Sequence, residues 1–142
     1  MPEISAFDAA ARALRHRDRS TSQVESYLAE RGYAADDVRG ALEAMLRTGL
    51  LDDARYAENR ARSLAERGAG DSYIRHDLDQ AGVGEDDINC ALAALEPERD
   101  RAERILGRRG ASARTARYLA GKGFSDDVVR GAVAHAVGDG LG

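Results

Sequence analysis

Residues 22–42 of this sequence read SQVESYLAERGYAADDVRGAL, and the same pattern returns at residues 72–92 and 113–133. The three copies align without a gap, so that Gly32, Gly82 and Gly123 share one position of the pattern. A segment repeated in this way is typical of stacked supersecondary units, which usually present a surface and enclose no catalytic pocket. The repeat therefore favours a binding protein over an enzyme.

Apolar residues recur at helical spacing along almost the whole chain, and no segment alternates with the period of a strand. The predicted helices span residues 6–18, 21–31, 35–47, 53–67, 71–81, 85–95, 97–109, 112–122 and 126–137. The expected fold is all-α, with three tandem three-helix repeats at residues 6–47, 53–95 and 97–137. Because a unit of roughly 40 to 50 residues buries little core alone, we expect the repeats to stack into an elongated, curved array.

Each repeat carries an aligned leucine in its second helix and an aligned β-branched residue in its third helix. We expect these six side chains to be buried: Leu28, Leu78, Leu119, Val38, Ile88 and Val129. The aligned glycine after each second helix stands where the backbone turns left-handed. Ser22 and Glu25 have the spacing of a capping box. The acidic pairs that open the third helices face the positive end of the helix dipole, which explains them better than a metal site.

The composition excludes several classes of protein. The 142 residues carry a net charge of −4, and the basic side chains are 20 arginines and the single lysine Lys122. One cysteine, Cys90, rules out an internal disulfide framework, and the three histidines have no second histidine at metal-ligand spacing. No catalytic, phosphate-binding or cofactor motif occurs, so we expect no cofactor and no metal. Because there is no signal sequence and no apolar stretch of bilayer length, we expect a cytoplasmic protein without a membrane partner.

The arginines of the first helices recur in register with the repeat. Arg60 aligns with Arg101, and Arg67 aligns with both Arg17 and Arg108. Residues seven apart lie two turns along one helix face, so stacking of the repeats predicts a basic ridge. The candidate partner-binding residues are Arg17, Arg60, Arg62, Arg67, Arg101, Arg104 and Arg108. The alternative is a set of ordinary solvated helix faces, with acidic partners one turn away.

The residues at this point resemble a known family. The stretch GLLDDARYA at residues 49–57, continued by the arginines and glycines of residues 60–70, is similar to the central repeat of RecX, the bacterial regulator of the RecA recombinase. Residues 17–32 are similar to the opening segment of that family, and the resemblance covers about residues 8–137. It implies three tandem three-helix repeats in a curved rod that binds the RecA filament within its helical groove.

The resemblance also implies a function. Binding would suppress filament extension, and with it the ATP hydrolysis, strand exchange and co-protease role of RecA in the SOS response. The expected partners are the RecA filament and the single-stranded DNA within it, and we expect the chain to be a monomer. Two alternatives remain open. Paired helices joined by a glycine-containing turn also describe a helix-turn-helix regulator that binds duplex DNA, and a helical repeat can be a scaffold for another protein.

Overall fold

The structure of the chain is a computed structural model that describes residues 4–141. Within those residues the backbone forms nine helices and no strand. The helices are α1 (Ala6–His16), α2 (Thr21–Glu30), α3 (Ala35–Thr48), α4 (Asp53–Glu66), α5 (Asp71–Gln80), α6 (Glu85–Ala93), α7 (Glu98–Arg109), α8 (Ala113–Gly121) and α9 (Asp126–Leu141). The predicted all-α fold of tandem three-helix repeats is confirmed, and the predicted helix ends agree to within two residues except at the end of α9.

The hydrophobic core is divided into three clusters, one in each repeat. The helices pack almost entirely within their own repeat, α1 to α3, α4 to α6 and α7 to α9. All six predicted core residues are buried, and the three aligned leucines are fully so. The chain exposes 8605 Å², against about 7,100 Å² for a compact monomer of the same mass. This excess of exposed surface is what an elongated array of small units produces.

The three aligned glycines end the second helices in the predicted left-handed conformation. Their φ angles are +89° at Gly32, +78° at Gly82 and +95° at Gly123. In each copy, the amide of the residue after the glycine donates to the carbonyl oxygen of the buried leucine, at distances of 3.3, 3.1 and 3.1 Å. This is the hydrogen bond of a Schellman motif, which satisfies a carbonyl that the helix itself leaves unpaired. The glycines are therefore structural equivalents.

The capping box of α2 lies two residues before the predicted one. Ser20 is the N-cap, and its Oγ accepts from the amide of Gln23 at 3.2 Å while Gln23 Oε1 accepts from the amide of Ser20 at 3.0 Å. The prediction of Ser22 with Glu25 was wrong because only Ser20 has the extended backbone of an N-cap, whereas Ser22 already lies in the first helical turn. The acidic residues of α3, α6 and α9 do lie in the first turn, as predicted.

Candidate binding clefts at the joints between repeats

Side-chain oxygens of the capping segment hold the first repeat to the second. Ser20 Oγ donates to the carbonyl oxygen of Ala81, although these residues are 61 positions apart. Next to it, both the amide and the hydroxyl of Thr21 donate to Asp53 Oδ1, at 2.8 and 2.9 Å. Gly82 lies so close to Ser22 that a Cβ at this glycine would collide with the serine side chain. The start of α2 therefore sits directly on the end of α5 and the start of α4.

A cleft of about 460 Å³ opens beside this joint, and the first two candidate arginines lie in it. Arg60 forms a bidentate pair with Asp77, with both nitrogen–oxygen distances at 2.9 Å. The hydrogen bond with Asp77 raises the pKa of Arg60 above its ordinary value, against the opposing effect of burial. Arg17 is exposed at the rim of the same cleft. This first cleft therefore carries one charge held by an acidic partner and one that faces solvent.

The joint between the second and third repeats is made largely by the backbone. The amide of Gly70 donates to the carbonyl oxygen of Lys122 at 2.8 Å, and that of Ser72 donates to Gly123 at 3.1 Å. A Cβ at Gly70 would collide with the backbone of Gly123, so only glycine permits this approach. The chain segment before α5 thus runs against the turn after α8, and the two repeats share main-chain hydrogen bonds.

Arg101 completes this joint from inside. Its Nη1 donates to the carbonyl oxygen of Ala69 at 2.9 Å, its Nε donates to the carbonyl oxygen of Glu96 at 2.9 Å, and its Nη2 pairs with the carboxylate of Asp71. Only 8% of the side chain is exposed. The carboxyl of Glu98 lies in the same cluster, where it accepts from the amide of Ser125 at 2.9 Å. Burial and the neighbouring Asp71 carboxyl raise the pKa of Glu98, although the Ser125 hydrogen bond lowers it.

The expectation of one exposed ridge must therefore be corrected at two of its residues. Arg101 is buried between repeats, and Arg60 is half-buried and paired with Asp77. Helical spacing shows that two side chains share a face, but it does not show whether that face meets solvent or a neighbouring repeat. The aligned arginines Arg60 and Arg101 lie on faces that border the joints, so their charges act within the protein.

A second cleft, of about 340 Å³, lies between α4 and α7 and gathers three more of the candidates. Arg62, Arg104 and Arg108 line it and are exposed. Arg104 pairs with Glu96 at 2.5 and 2.6 Å, with 59% of its side chain exposed. The seventh candidate, Arg67, is exposed at the end of α4, where it donates to Ser63 Oγ at 3.1 Å and lines neither cleft. The structure thus brings together Arg62, Arg104 and Arg108, and separates them from the first cleft.

Sequence reasoning missed three cation–aromatic contacts on two tyrosine rings. Arg19 and Arg31 lie over the ring of Tyr27, at 4.9 and 4.4 Å from its centroid, and Arg109 lies over Tyr118 at 3.7 Å. Tyr27 and Tyr118 occupy the same position of the repeat, which is the signal that could have found them. Arg31 and Arg109 are exposed, and a contact of this kind at an exposed position contributes about 0.5–1 kcal/mol.

The part of the chain that the structure describes has neither a metal-binding cluster nor a membrane-spanning helix. Among the described residues, no three histidine, cysteine, aspartate or glutamate side chains lie together where they could hold a metal ion. Of the described helices, none combines the length and the apolar character that crossing a bilayer requires. Besides the two arginine-lined clefts, the described surface has a groove in the first repeat and a pocket of about 340 Å³ between α5 and α6 in the second.

Comparison with known proteins gives concordant results. Residues 6–44 match the family model described as RecX, first three-helix domain, and residues 52–92 match that described as RecX, second three-helix domain. The chain is 39% identical to the Regulatory protein RecX of Chromohalobacter salexigens, over 94% of this chain and 94% of that protein. It is 37% identical to the Regulatory protein RecX of Halorhodospira halophila, over 91% and 86% of the two chains.

Solved structures have the same fold. The crystal structure of RecX from Lactobacillus salivarius superposes with a TM-score of 0.79, covers 92% of this chain and 94% of that one, and is 20% identical in sequence. A second crystal structure of regulatory protein RecX superposes with a TM-score of 0.73, at 26% identity, over 88% of this chain and 68% of that one. The likeness extends beyond the two matched domains, because either superposition covers more of the chain than those domains do.

Proposed function

Because the chain belongs to the RecX family, we propose that it is a non-enzymatic regulator of the RecA recombinase. In this proposal it binds the RecA–DNA filament and suppresses filament extension. It thereby reduces the ATP hydrolysis, strand exchange and co-protease activity of RecA, and so regulates DNA repair and the SOS response. The proposed active form is a monomer in the cytoplasm.

The observation that carries the proposal is the pair of arginine-lined clefts on an elongated, net-acidic chain. A net charge of −4 does not favour binding by long-range attraction to nucleic acid, so the exposed arginines must act locally. Arg62, Arg104 and Arg108 line one cleft and are exposed, and the pairs that Arg62 forms with Glu58 and Arg104 forms with Glu96 are exposed as well. A planar guanidinium binds carboxylates and phosphates bidentately, so either acidic RecA side chains or phosphates of the filament DNA would fit them.

A pair of charge reversals in the second cleft tests the proposal. The substitutions Arg62→Glu and Arg108→Glu change two exposed side chains, and exposed ion pairs contribute little to folding. The matched control reverses Arg47 and Arg130, which are exposed and line neither cleft. The measurements are RecA's single-stranded-DNA-dependent ATP hydrolysis and the length of RecA filaments, each as a function of the added protein.

We expect the wild type and the control to inhibit ATP hydrolysis by RecA and to shorten its filaments. The double variant of the second cleft should reach the same inhibition only at a concentration at least tenfold higher. Circular dichroism establishes that each variant is folded. No inhibition by the wild type would overturn the proposed function. Salt-dependent binding of duplex DNA without RecA would instead favour the DNA-binding regulator. Full inhibition by the double variant would keep the function but exclude this cleft as the contact.

A further inference from the structure

The first repeat has a groove that is separate from both arginine-lined clefts and has no part in the proposed function. It lies between the start of α1 and the first half of α3, and its volume is about 710 Å³. The small residues Gly40, Ala41 and Ala44 of α3 contribute to its lining. The aromatic residues Phe7 and Tyr33 line it as well. The groove therefore offers space for a long, thin side chain between the two helices.

The equivalent place in the third repeat is filled, and its occupant is an arginine. Gly131 of α9 aligns with Gly40 of α3, and in the same register Arg99 of α7 aligns with Asp8 of α1. Arg99 Nη2 donates to the carbonyl oxygen of Gly131 at 3.0 Å. A Cβ at Gly131 would come within 3.2 Å of the guanidinium carbon, so the absence of a side chain makes room for this contact.

In the first repeat the same glycine faces open space. Among the described residues, no heavy atom outside the local backbone lies within 4 Å of a Cβ placed at Gly40. At the position of Arg99 the first repeat has no arginine, because Asp8 stands there. The first repeat thus retains the glycine surface on which the third repeat holds a guanidinium, but no described guanidinium of its own lies on that glycine.

The charge of the groove is complementary to a guanidinium group. The described residues that line it include two carboxylates, Asp36 and Asp37, and no basic side chain. Asp36 pairs at 3.2 Å with Arg39 of its own helix, with both side chains largely exposed, so this carboxylate remains accessible to a second cation. Aromatic faces beside carboxylates favour arginine over lysine, because the planar guanidinium stacks on rings and forms paired hydrogen bonds.

We propose that this groove binds an arginine side chain presented by a partner protein. The aliphatic part of that side chain lies along Gly40 and Ala44, beside the ring of Phe7. Its guanidinium donates to the carbonyl oxygen of Gly40, as Arg99 does to Gly131, and pairs with Asp37. The proposal goes beyond regulation through the arginine-lined clefts, because here the chain supplies the acidic surface and its partner supplies the cation.

A titration with blocked tripeptides tests this proposal. The probes are acetyl-Ala-Arg-Ala-amide and its lysine and citrulline counterparts, added to the ¹⁵N-labelled full chain and followed by amide chemical shifts. The substitution Gly40→Leu adds an apolar side chain at the groove, and its Cβ meets no heavy atom within 4 Å in the described structure. Gly107→Leu is the matched control, because Gly107 is also an exposed helical glycine with open space around it.

We expect the arginine probe to cause saturable shifts confined to the groove, with at least fivefold weaker responses to the lysine and citrulline probes. Gly40→Leu and Asp37→Asn should each weaken the arginine response at least fivefold, and Gly107→Leu should leave it unchanged. Equal responses to all three probes, or an unchanged response in Gly40→Leu, would overturn the proposal. Groove shifts that grow with protein concentration in the absence of any probe would assign the groove to a second copy of the chain, which also overturns it.

Discussion

The guanidinium of Arg101 donates a hydrogen bond to the backbone carbonyl oxygen of Ala69, 2.9 Å away, across the joint between the second and third repeats. The same group pairs with a carboxylate of the second repeat and is almost completely buried. A buried charge of this kind is stable only while its partners remain in place. Arg101 therefore helps to fix the relative position of the two repeats, together with the main-chain hydrogen bonds that Gly70 and Ser72 form across the same joint.

The first prediction concerns that side chain. Replacing Arg101 with methionine keeps most of its apolar length but removes the hydrogen bonds to Ala69 and Glu96 and leaves Asp71 without its cation. We expect the free energy of unfolding to fall by about 2–4 kcal/mol, since hydrogen bonds to charged groups and broken buried pairs have costs of this order. Urea denaturation followed by circular dichroism measures the change.

The matched control for Arg101 is Arg104 on the same helix. Its ion pair with Glu96 is exposed, so Arg104→Met should change the free energy of unfolding by less than about 1 kcal/mol. Equal effects of the two substitutions would contradict the structural role assigned to Arg101. The contrast matters for function as well, because a binding defect in an Arg101 variant would report a damaged joint rather than a lost contact.

The contrast between Leu78 and Arg101 shows what the sequence could predict. Leu78 is fully buried as expected, because the spacing of apolar residues and the following glycine are local signals that each repeat restates. The same signals located the nine helices to within about a turn. The apolar spacing and the glycine signal each depend only on one helix and the residues next to it in the sequence. A sequence pattern predicts local features of this kind well.

Arg101 could not be placed in this way, because its environment is made by residues 69–71 of a different repeat. A sequence repeat shows that units are similar, but it does not show which faces they present to each other. The candidate site was therefore predicted only in part. Arg62, Arg104 and Arg108 do line one cleft, whereas Arg60 and Arg101 have partners at the joints.

The second prediction compares two glycines in the same backbone conformation. Gly32→Ala should lower the free energy of unfolding by about 1–2 kcal/mol, which is the cost of a left-handed conformation for a residue with a Cβ. Gly82→Ala should cost at least about 1 kcal/mol more, because its Cβ also collides with Ser22 across the joint between the first two repeats. Urea denaturation of the two variants gives the difference. Equal losses of unfolding free energy in the two variants would contradict the predicted clash, because they would mean that Ser22 moves away from the new Cβ at no cost.

The third prediction concerns the effect of pH on stability through Glu98. Its pKa is raised in the folded chain above the ordinary value of 4.5, so the folded state binds this proton more tightly than the unfolded state does. The stability that this proton contributes is complete below the unfolded pKa and is lost as the pH rises through the folded pKa. At neutral pH the charged carboxylate is therefore unfavourable in this joint.

A neutral substitute for Glu98 should remove this effect. Glu98→Gln retains a carbonyl oxygen for the amide of Ser125 and resembles the protonated acid, so its melting temperature should exceed that of the wild type at pH 7. The difference should shrink as the pH is lowered towards 4.5, and Asp100→Asn, at an exposed position of α7, is the control. A variant that is less stable than the wild type at every pH would contradict the assignment.

The last prediction concerns salt and rests on the proposed function. If the second cleft binds the RecA filament through Arg62 and Arg108, screening must weaken that binding, because the Debye length falls from about 10 Å at 0.1 M salt to about 3 Å at 1 M. Substituting both arginines with glutamine removes the charges without introducing repulsion. We expect the wild-type affinity for the filament to fall steeply between low and high salt. The double variant should bind more weakly, and its affinity should depend less on salt concentration.

The control variant, Arg47→Gln with Arg130→Gln, should retain the salt dependence of the wild type. It separates a contact made in the cleft from the effect of the general charge of the chain. A double variant with the wild-type slope would place the electrostatic contact elsewhere on the chain, and the exposed Arg17 of the first cleft would be the next residue to substitute.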